Sequence, residues 1–558
     1  MSEDDSFLDR RSFVKLAGGA AASVSLAGCT SDDSDGGDGG DGGGDGGDGG
    51  GDGGDTPTAT AADDDTPTAT ATDDQSTDEP LEVTVTMGQM DSGLDPQDHA
   101  ETNTEIVVGQ AYEGLLDRDK EGGVIEGLAT EWERVEPGTA RFTLRDGVTF
   151  HNGDPVTAED VAFSIRRIVF EDVGIASPQV NDLGAVEEVV PGDGEVTVNF
   201  DGLNPIVFQL FATNGPVMQQ SWVEEHGSDF INQNTNGTGP FRLSSYDSGN
   251  EVVFGKYEDY WGEESPVDQV TLNASSESST RVNRLLAEES HIVTNVPPQE
   301  VSRVENSDVA SINAVPSARI IFLQMRYDVE PFTSQQFRQA MNYAVDVEGI
   351  IENVLNGFGS ITGQPTLDLF TGYNPDIDPY PHDPAEAERL VDESGFAGAE
   401  ITLQTPIGRY LKDVEIAQAA ANQIDSLSNV SCELQQREFS SLVQDLTTGN
   451  IEDKPAFNLL GWGNGEFDAS QTIIPLLASN GALTILKNDE VDQFMEDAQN
   501  EPDPEAREEI LQEANQLLHD LAPWVFMHQQ FSVYGVSNDI EWQPRTDEFI
   551  DPDTATRQ

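Results

Sequence analysis

Cysteine and lysine are nearly missing from this chain of 558 residues: Cys29 and Cys432 are its only thiols, and six lysines stand beside 104 acidic residues. Two cysteines cannot build a disulfide framework. With Cys29 assigned to an anchor (below), Cys432 has no partner in the chain and reads as a small buried thiol. Long apolar runs are also lacking. The stretch Leu16–Ala27 is well short of the about 20 residues that a membrane-spanning helix needs. Basic charge is scarce, 27 Lys and Arg against 104 Asp and Glu, for a net charge of −77. Such a surface repels nucleic acid and anionic lipid, which argues against polyanion-binding roles. Acidity on this scale could mean disorder. The 36% of hydrophobic residues, with six Trp and 25 Phe, instead suffice for a large core, so the charge belongs on the surface of a folded body. A lysine-poor, acidic surface reads as an adaptation to molar salt, where screening shortens to about 3 Å.

Catalytic signatures are lacking too. No G-x-S-x-G elbow, no G-x-x-x-x-G-K loop and no H-E-x-x-H pair occurs. The seven histidines are scattered, with no two at metal-ligand spacing on a helix. Neighbouring carboxylates such as Glu466 and Asp468 have the makings of an acid/base pair, but arise by chance in so acidic a chain. Neither catalysis, a metal nor a cofactor is expected.

What is present begins with Arg10 and Arg11, followed by Ser12, Phe13, Val14 and Lys15, which resembles the twin-arginine export motif, a route for folded proteins. The Gly-, Ala- and Ser-rich run behind it has the character of a signal h-region. Leu26, Ala27, Gly28 and Cys29 resemble a lipobox, so residues 1–28 are expected to be removed and Cys29 lipidated. One lipid chain binds a membrane only reversibly, so a diacylglycerol-type anchor is expected. Residues 29–80 repeat Asp among glycines and then Thr among prolines and alanines. This composition buries nothing and its charge extends it, which makes it a tether. Calcium-binding nonapeptide repeats need regularly spaced apolar residues, which the run does not have. Its Thr/Pro half suits O-linked sugars.

From Leu81 onward strands and helices alternate. "LEVTVTM" has strand periodicity, and "RFTLRDGVTFHNG" predicts a hairpin turning at Asp146-Gly147 between Phe142, Leu144 and Val148, Phe150. Thr157 with Asp160 predicts a capped helix carrying Val161, Ile165, Ile168 and Val169. Phe337, Ala340, Met341, Ala344 and Val345 mark a second helix. Asp383-Pro384 to Gly395 brackets a third. The fold class is α/β, and nearly 480 residues call for two or three lobes.

Longer stretches carry a resemblance. "YEGLLDRDKEGGVIEGLATEWERVEPGTARFTLRDGVTFHNGDPVTAEDVAFSIRR", then "NGTGPFRLSSYDSGNEVVFGKYEDYWG", "FTSQQFRQAMNYAVDVEGIIENVLNGFG", "HDPAEAERLVDESGF" and "NLLGWGNGEFDASQTI" resemble, in order, the family 5 extracellular solute-binding proteins, the dipeptide, oligopeptide and nickel receptors of ABC transporters. The blocks run from Leu81 to about Trp524. The resemblance implies a two-lobed periplasmic-binding-protein-like fold of the large peptide-receptor type with an extra subdomain in the first lobe. It assigns 81–112, 238–315 and 525–558 to lobe I, 113–237 to the subdomain and 316–524 to lobe II. It further implies a monomer that closes on a small solute, such as a peptide, in the interlobe cleft and delivers it to a membrane permease and its ATPase, with no bond made or broken. Other solutes of the family, a nickel complex among them, an oligosaccharide, and a ligand-sensing surface lipoprotein are the alternatives; a secreted hydrolase lacks a nucleophile signature.

Site residues follow from the same resemblance. In peptide-binding members an Asp after the G-W dipeptide resembles an anchor for the peptide's amino terminus. Here that loop runs Trp462, Gly463, Asn464, Gly465, Glu466, Phe467, Asp468, with Gly465 where that Asp would stand and Glu466 beside it. Trp462 is expected as a cleft wall or as core. Arg326, where the family usually has Asn, could grip a carboxylate or sit in a surface ion pair. Gln89, Met90 and Asp91 are expected at the cleft rim. The turn Gly237–Pro240 sets backbone geometry. Asn236, Asn273 and Asn429 begin glycosylation sequons, the latter two the better placed.

Overall fold

Side-chain caps set the helix ends. In the computed structural model, which describes residues 80–99, 101–170, 173–175, 177–183, 185–448 and 450–558, the Thr157 hydroxyl accepts from the Asp160 amide at 3.2 Å, and the Asp160 carboxylate accepts from the Thr157 amide at 3.1 Å. This reciprocal box starts the helix Ala158–Val169, whose Val161, Ile165 and Ile168 are buried. Ser334 caps Gln335–Ala344, and Asp383 accepts from two amides at the start of Pro384–Ser394, which ends at Gly395 with φ 84°. Arg10, Arg11, Cys29 and the tether lie outside the described residues, so the export and lipid readings are not touched by the fold.

The expected hairpin around Asp146-Gly147 does not form. Thr139–Leu144 turns back through Gly138, at φ 78°, to pair with Ala129–Glu136, and its other edge pairs with Glu195–Phe200. Both edges are taken, so Val148 and Phe150 cannot add a strand; they are buried in the same core, and Thr149 bridges to Pro155. With Val186–Pro191 these strands make a four-stranded antiparallel sheet with its own core around Phe142, Phe150, Ile165 and Phe211.

A larger sheet of 11 strands runs through the rest of the body. Its order is Val430–Arg437, Ala399–Pro406, Phe457–Gly463, Ala310–Met325, Trp524–Ser537, Ile292–Val293, Glu82–Met87, Gln269–Ala274, Glu251–Lys256 and Phe241–Asp247, with Gly359–Ile361 also on Trp524–Ser537. Two of these strands join the lobes. Ala310–Met325 and Trp524–Ser537, of 16 and 14 residues, pair antiparallel from Ala310↔Ser537 to Gln324↔Trp524, and their register shifts between Pro316 and Ile320. On one side of the shift Tyr534 and Val536 pack with Val83, Phe241 and Leu272 in the first lobe. On the other, Phe322, Trp524 and Phe526 pack with Trp462 and Leu477 in the second, whose opposite face holds Ile321, Phe337 and Val525. Along the second crossing strand the change of core falls between Met527 and Val533. The fold is thus α/β and two-lobed, with a separately cored subdomain on the first lobe.

Among the described residues no helix is long and apolar enough to cross a membrane. Cys432 is buried and free, and burial pushes its thiol up to about 12, as suits an inert core thiol. The sequon expectation is corrected at Asn273, which is 5% exposed, as Asn236 is at 3%; Asn429 is half-buried, its amide donating to the Glu388 carbonyl at 2.9 Å and to Asp392 at 2.8 Å.

Candidate interlobe solute site

Phe457–Gly463 is apolar because it is buried on both faces; Trp462 lies in the second-lobe core with its indole N–H on the Gln471 carbonyl at 3.0 Å. Two glycines on this strand admit close neighbours. A Cβ on Gly461 would lie 2.6 Å from the Tyr410 ring, and one on Gly463 would lie 2.9 Å from the Arg319 guanidinium.

The loop beyond is held by its own polar groups. The Asn464 amide nitrogen of the backbone donates to the Ala318 carbonyl at 2.9 Å, and its side chain donates to the Asp468 carbonyl and Thr472 hydroxyl at 2.8 and 2.9 Å. Its Oδ1 is a buried acceptor without a partner among the described residues. Asp468 is fully buried, forked by Arg507 at 2.6 and 2.8 Å and bonded by the Ser470 hydroxyl at 2.6 Å. Asp468 therefore fixes the loop's shape. Such a pair is bidentate and closed, with no face left for a solute.

At the loop's tip the two lobes meet. Gly465 offers its carbonyl to the Thr213 hydroxyl at 3.4 Å, and Phe467, at φ 55°, lies under the guanidinium of Arg118 at 5.3 Å from the ring centroid. Glu466 is 4% exposed. Burial pushes its carboxyl up, Arg118 pulls it down, and Asp468 raises it further. Arg118 and Thr213 belong to the first-lobe subdomain.

On the loop's other flank two arginines converge. Burial works against the charge of Arg319, but Glu548 at 3.2 Å more than offsets it and its pKa is raised. Arg409 follows the strand Ala399–Pro406 and lies 5.3 and 5.2 Å from the rings of Tyr410 and Phe439. Among the described residues no carboxylate lies within ion-pair distance of it. Its side chain is solvent-exposed, yet loss of solvation and then Arg319 lower its pKa.

Four other expected residues find different surroundings. Arg326 donates through Nη1 to the carbonyls of Ile451, Glu452 and Lys454, and its Nε pairs with Asp328 at 2.9 Å, tying a turn to the end of a crossing strand. It is not brought to the Trp462 loop. Gln89 is exposed and accepts from Asn103 at 3.3 Å, Met90 packs on the first-lobe core, and Asp91 accepts from the Tyr246 hydroxyl. These three thus stand toward the far end of the large sheet, where Tyr246 lies on the terminal strand.

Residues 123–483 match the model of the bacterial extracellular solute-binding proteins, family 5. The chain belongs to that family. Among curated relatives it is 24% identical to heme-binding protein A of Haemophilus influenzae, over 75% of this chain and 81% of that protein. It is 23% identical to the glutathione-binding protein GsiB of Salmonella typhimurium, over 80% and 88%. Among solved structures, the ABC transporter substrate binding protein CtaP of Listeria monocytogenes superposes with a TM-score of 0.77 at 20% identity, over 86% of this chain and 100% of that one. These relatives are binding proteins. The likeness in structure shows the large two-lobed receptor fold.

Arg118, Arg319 and Arg409 were not singled out by sequence reasoning. Neither position nor composition offered a signal for them, because what brings them to the loop is contact between segments far apart in sequence.

Proposed function

We propose that this family 5 protein is the solute-capturing receptor of an ABC importer and that it encloses a short, peptide-like solute between its lobes for delivery to a membrane permease. The observation that carries the reading is Arg409, an unpaired cation flanked by Tyr410 and Phe439 and backed by Arg319, beside a loop where the lobes meet. A guanidinium so placed takes a carboxylate bidentately, and the two rings offer apolar cover to the group that carries it. Relatives that bind glutathione, and a solved relative holding the dipeptide Met-Leu, support solutes of this kind. The crossing strands, with their register shift between Pro316 and Ile320, supply a hinge about which a ligand touching both lobes favours closure.

The reading includes export by the twin-arginine route, a lipid on Cys29, a tether over 29–80, a monomeric body without catalysis, and lobe limits at 113, 238, 316 and 525. Native mass spectrometry of protein purified without refolding is expected to show a retained acidic peptide-like solute, and di- and tripeptides are expected to raise its thermal midpoint. An empty protein unmoved by peptides defeats the peptide assignment. Cys29→Ser is expected to release the protein into the medium; retention on the cells defeats the anchor.

A further inference from the structure

The geometry points to Arg118, Phe467 and Glu466 as a built-in latch between the lobes, so that the carboxylate beside the amine-anchoring position serves closure and the solute needs no free amino group. The second half of this inference rests on the peptide-like reading; the first stands without it.

Arg118 is aimed in advance by its own lobe. Its guanidinium donates to the Gly122 carbonyl at 2.7 Å, the Gln209 carbonyl at 2.8 Å and the Thr213 hydroxyl at 3.1 Å, all in the subdomain. With these donors fixed, its face lies over Phe467 of the other lobe. Fixing the fork beforehand removes the entropy cost of ordering a long side chain at closure. Gly122, at φ 89°, lets Phe467 seat fully, because a Cβ there would stand 2.7 Å from the ring. Thr213 reaches across to the Gly465 carbonyl. Glu466, between the two loop residues that make these contacts, is buried, and the charge of Arg118 favours its ionised form. Opening would part the ring from the guanidinium and the Thr213 hydroxyl from the Gly465 carbonyl together.

The neighbouring carboxylates are engaged as well. Asp468 is forked by Arg507, Glu548 pairs with Arg319, and Asp413 accepts from the backbone amides of Gly408, Arg409 and Tyr410 at 3.2, 2.7 and 3.2 Å. An amine entering beside the loop finds these acids taken, whereas an acid finds Arg409 open. Recognition is then one-ended, through the solute's carboxylate.

Glu466→Gln, Arg118→Gln and, as a milder variant that keeps apolar volume, Phe467→Leu are compared with the wild type, after circular dichroism confirms folding. Small-angle scattering of the ligand-free proteins and titration calorimetry with a dipeptide and its N-acetyl form are the readouts. The latch requires a larger radius of gyration in all three variants. Wild type should bind the two ligands within about threefold of each other, and Glu466→Gln should shift both by the same factor. A loss of about tenfold confined to the free-amine dipeptide in Glu466→Gln makes Glu466 an amine anchor and overturns the inference. Unchanged scattering in the variants also overturns it. If neither dipeptide form binds the wild type, the peptide reading fails, while scattering still decides the latch.

Discussion

Asp468 and Arg507 show how a single residue can look like a binding group and be structural. The carboxylate is fully buried, and its partners are Ser470, at the start of the helix Ser470–Leu477 that follows the loop, and Arg507 on the helix Pro504–Leu521. Removing one member of a buried pair leaves the other charge uncompensated, at a cost of about 3–5 kcal/mol. Asp468→Asn is therefore expected to lower the urea midpoint by that equivalent, while Asp468→Asn with Arg507→Met recovers part of the loss. A large fall in solute affinity with no fall in stability would contradict this assignment. The sequence made the loop itself legible, through its glycines and the dipeptide Gly461-Trp462. It could not show which acid points where, because Arg507 and Arg118 come from 39 residues after Asp468 and from the first-lobe subdomain. Arg409 was illegible for the converse reason, since what marks it is the lack of a partner, a property of three-dimensional neighbourhood.

Helices with caps were legible as elements because their signals are local. Thr157 and Asp160 form the box that their spacing predicts, and Thr157→Ala is expected to cost about 1 kcal/mol, read as a shift of the urea midpoint. The strand Thr139–Leu144 was legible, but its partner was not, since pairing is decided by which edges remain free. Where elements join, titration becomes visible. Glu113 links the subdomain to the Gly-Pro turn and to the aromatic pair beyond it, accepting from Thr238 at 2.6 Å and from Tyr260 and Trp261 at 2.7 Å each. Burial nonetheless pushes it from 4.5 up to about 7, and burial followed by Asp551 pushes Asp553 from 3.8 up to about 7. Both pKa values rise on folding, so the folded state holds protons that the unfolded state has released. Their stabilisation is complete at low pH and is lost as pH rises through about 7. Glu113→Gln should flatten part of the decline in thermal midpoint between about pH 5 and pH 7, with Asp553 and the other buried carboxyls whose pKa values are raised, Glu105 and Asp551 among them, supplying the rest. An unchanged slope would mean that the junction holds Glu113 ionised throughout.

At the scale of the whole molecule, charge outweighs any single contact. A net charge of −77 on 558 residues opposes compaction by self-repulsion, and the ion pairs of the described body that involve exposed side chains, such as Arg141 with Glu133, contribute little against it. The interior pairs that hold the architecture behave differently: Arg167 with Asp95 and Arg507 with Asp468 are almost fully buried and are screened little by salt. Salt should therefore relieve the repulsion while leaving those contacts intact. The screening length falls from about 10 Å at 0.1 M to about 3 Å at 1 M, shorter than the spacing of most surface charges. The thermal midpoint is expected to climb steadily from 0.1 M to molar potassium chloride, and to climb with sodium chloride as well, because screening depends on ionic strength. A midpoint that falls or stays level across that range would place the acidic residues in specific stabilising contacts and would remove the argument for a body adapted to salt. Solute binding offers a separate check at this scale. Attraction between a carboxylate and the exposed Arg409 is screened by salt, so affinity for an acidic ligand should weaken over the same range in which stability grows. Opposite salt trends in one protein would separate the repulsion that the fold tolerates from the attraction that the site uses.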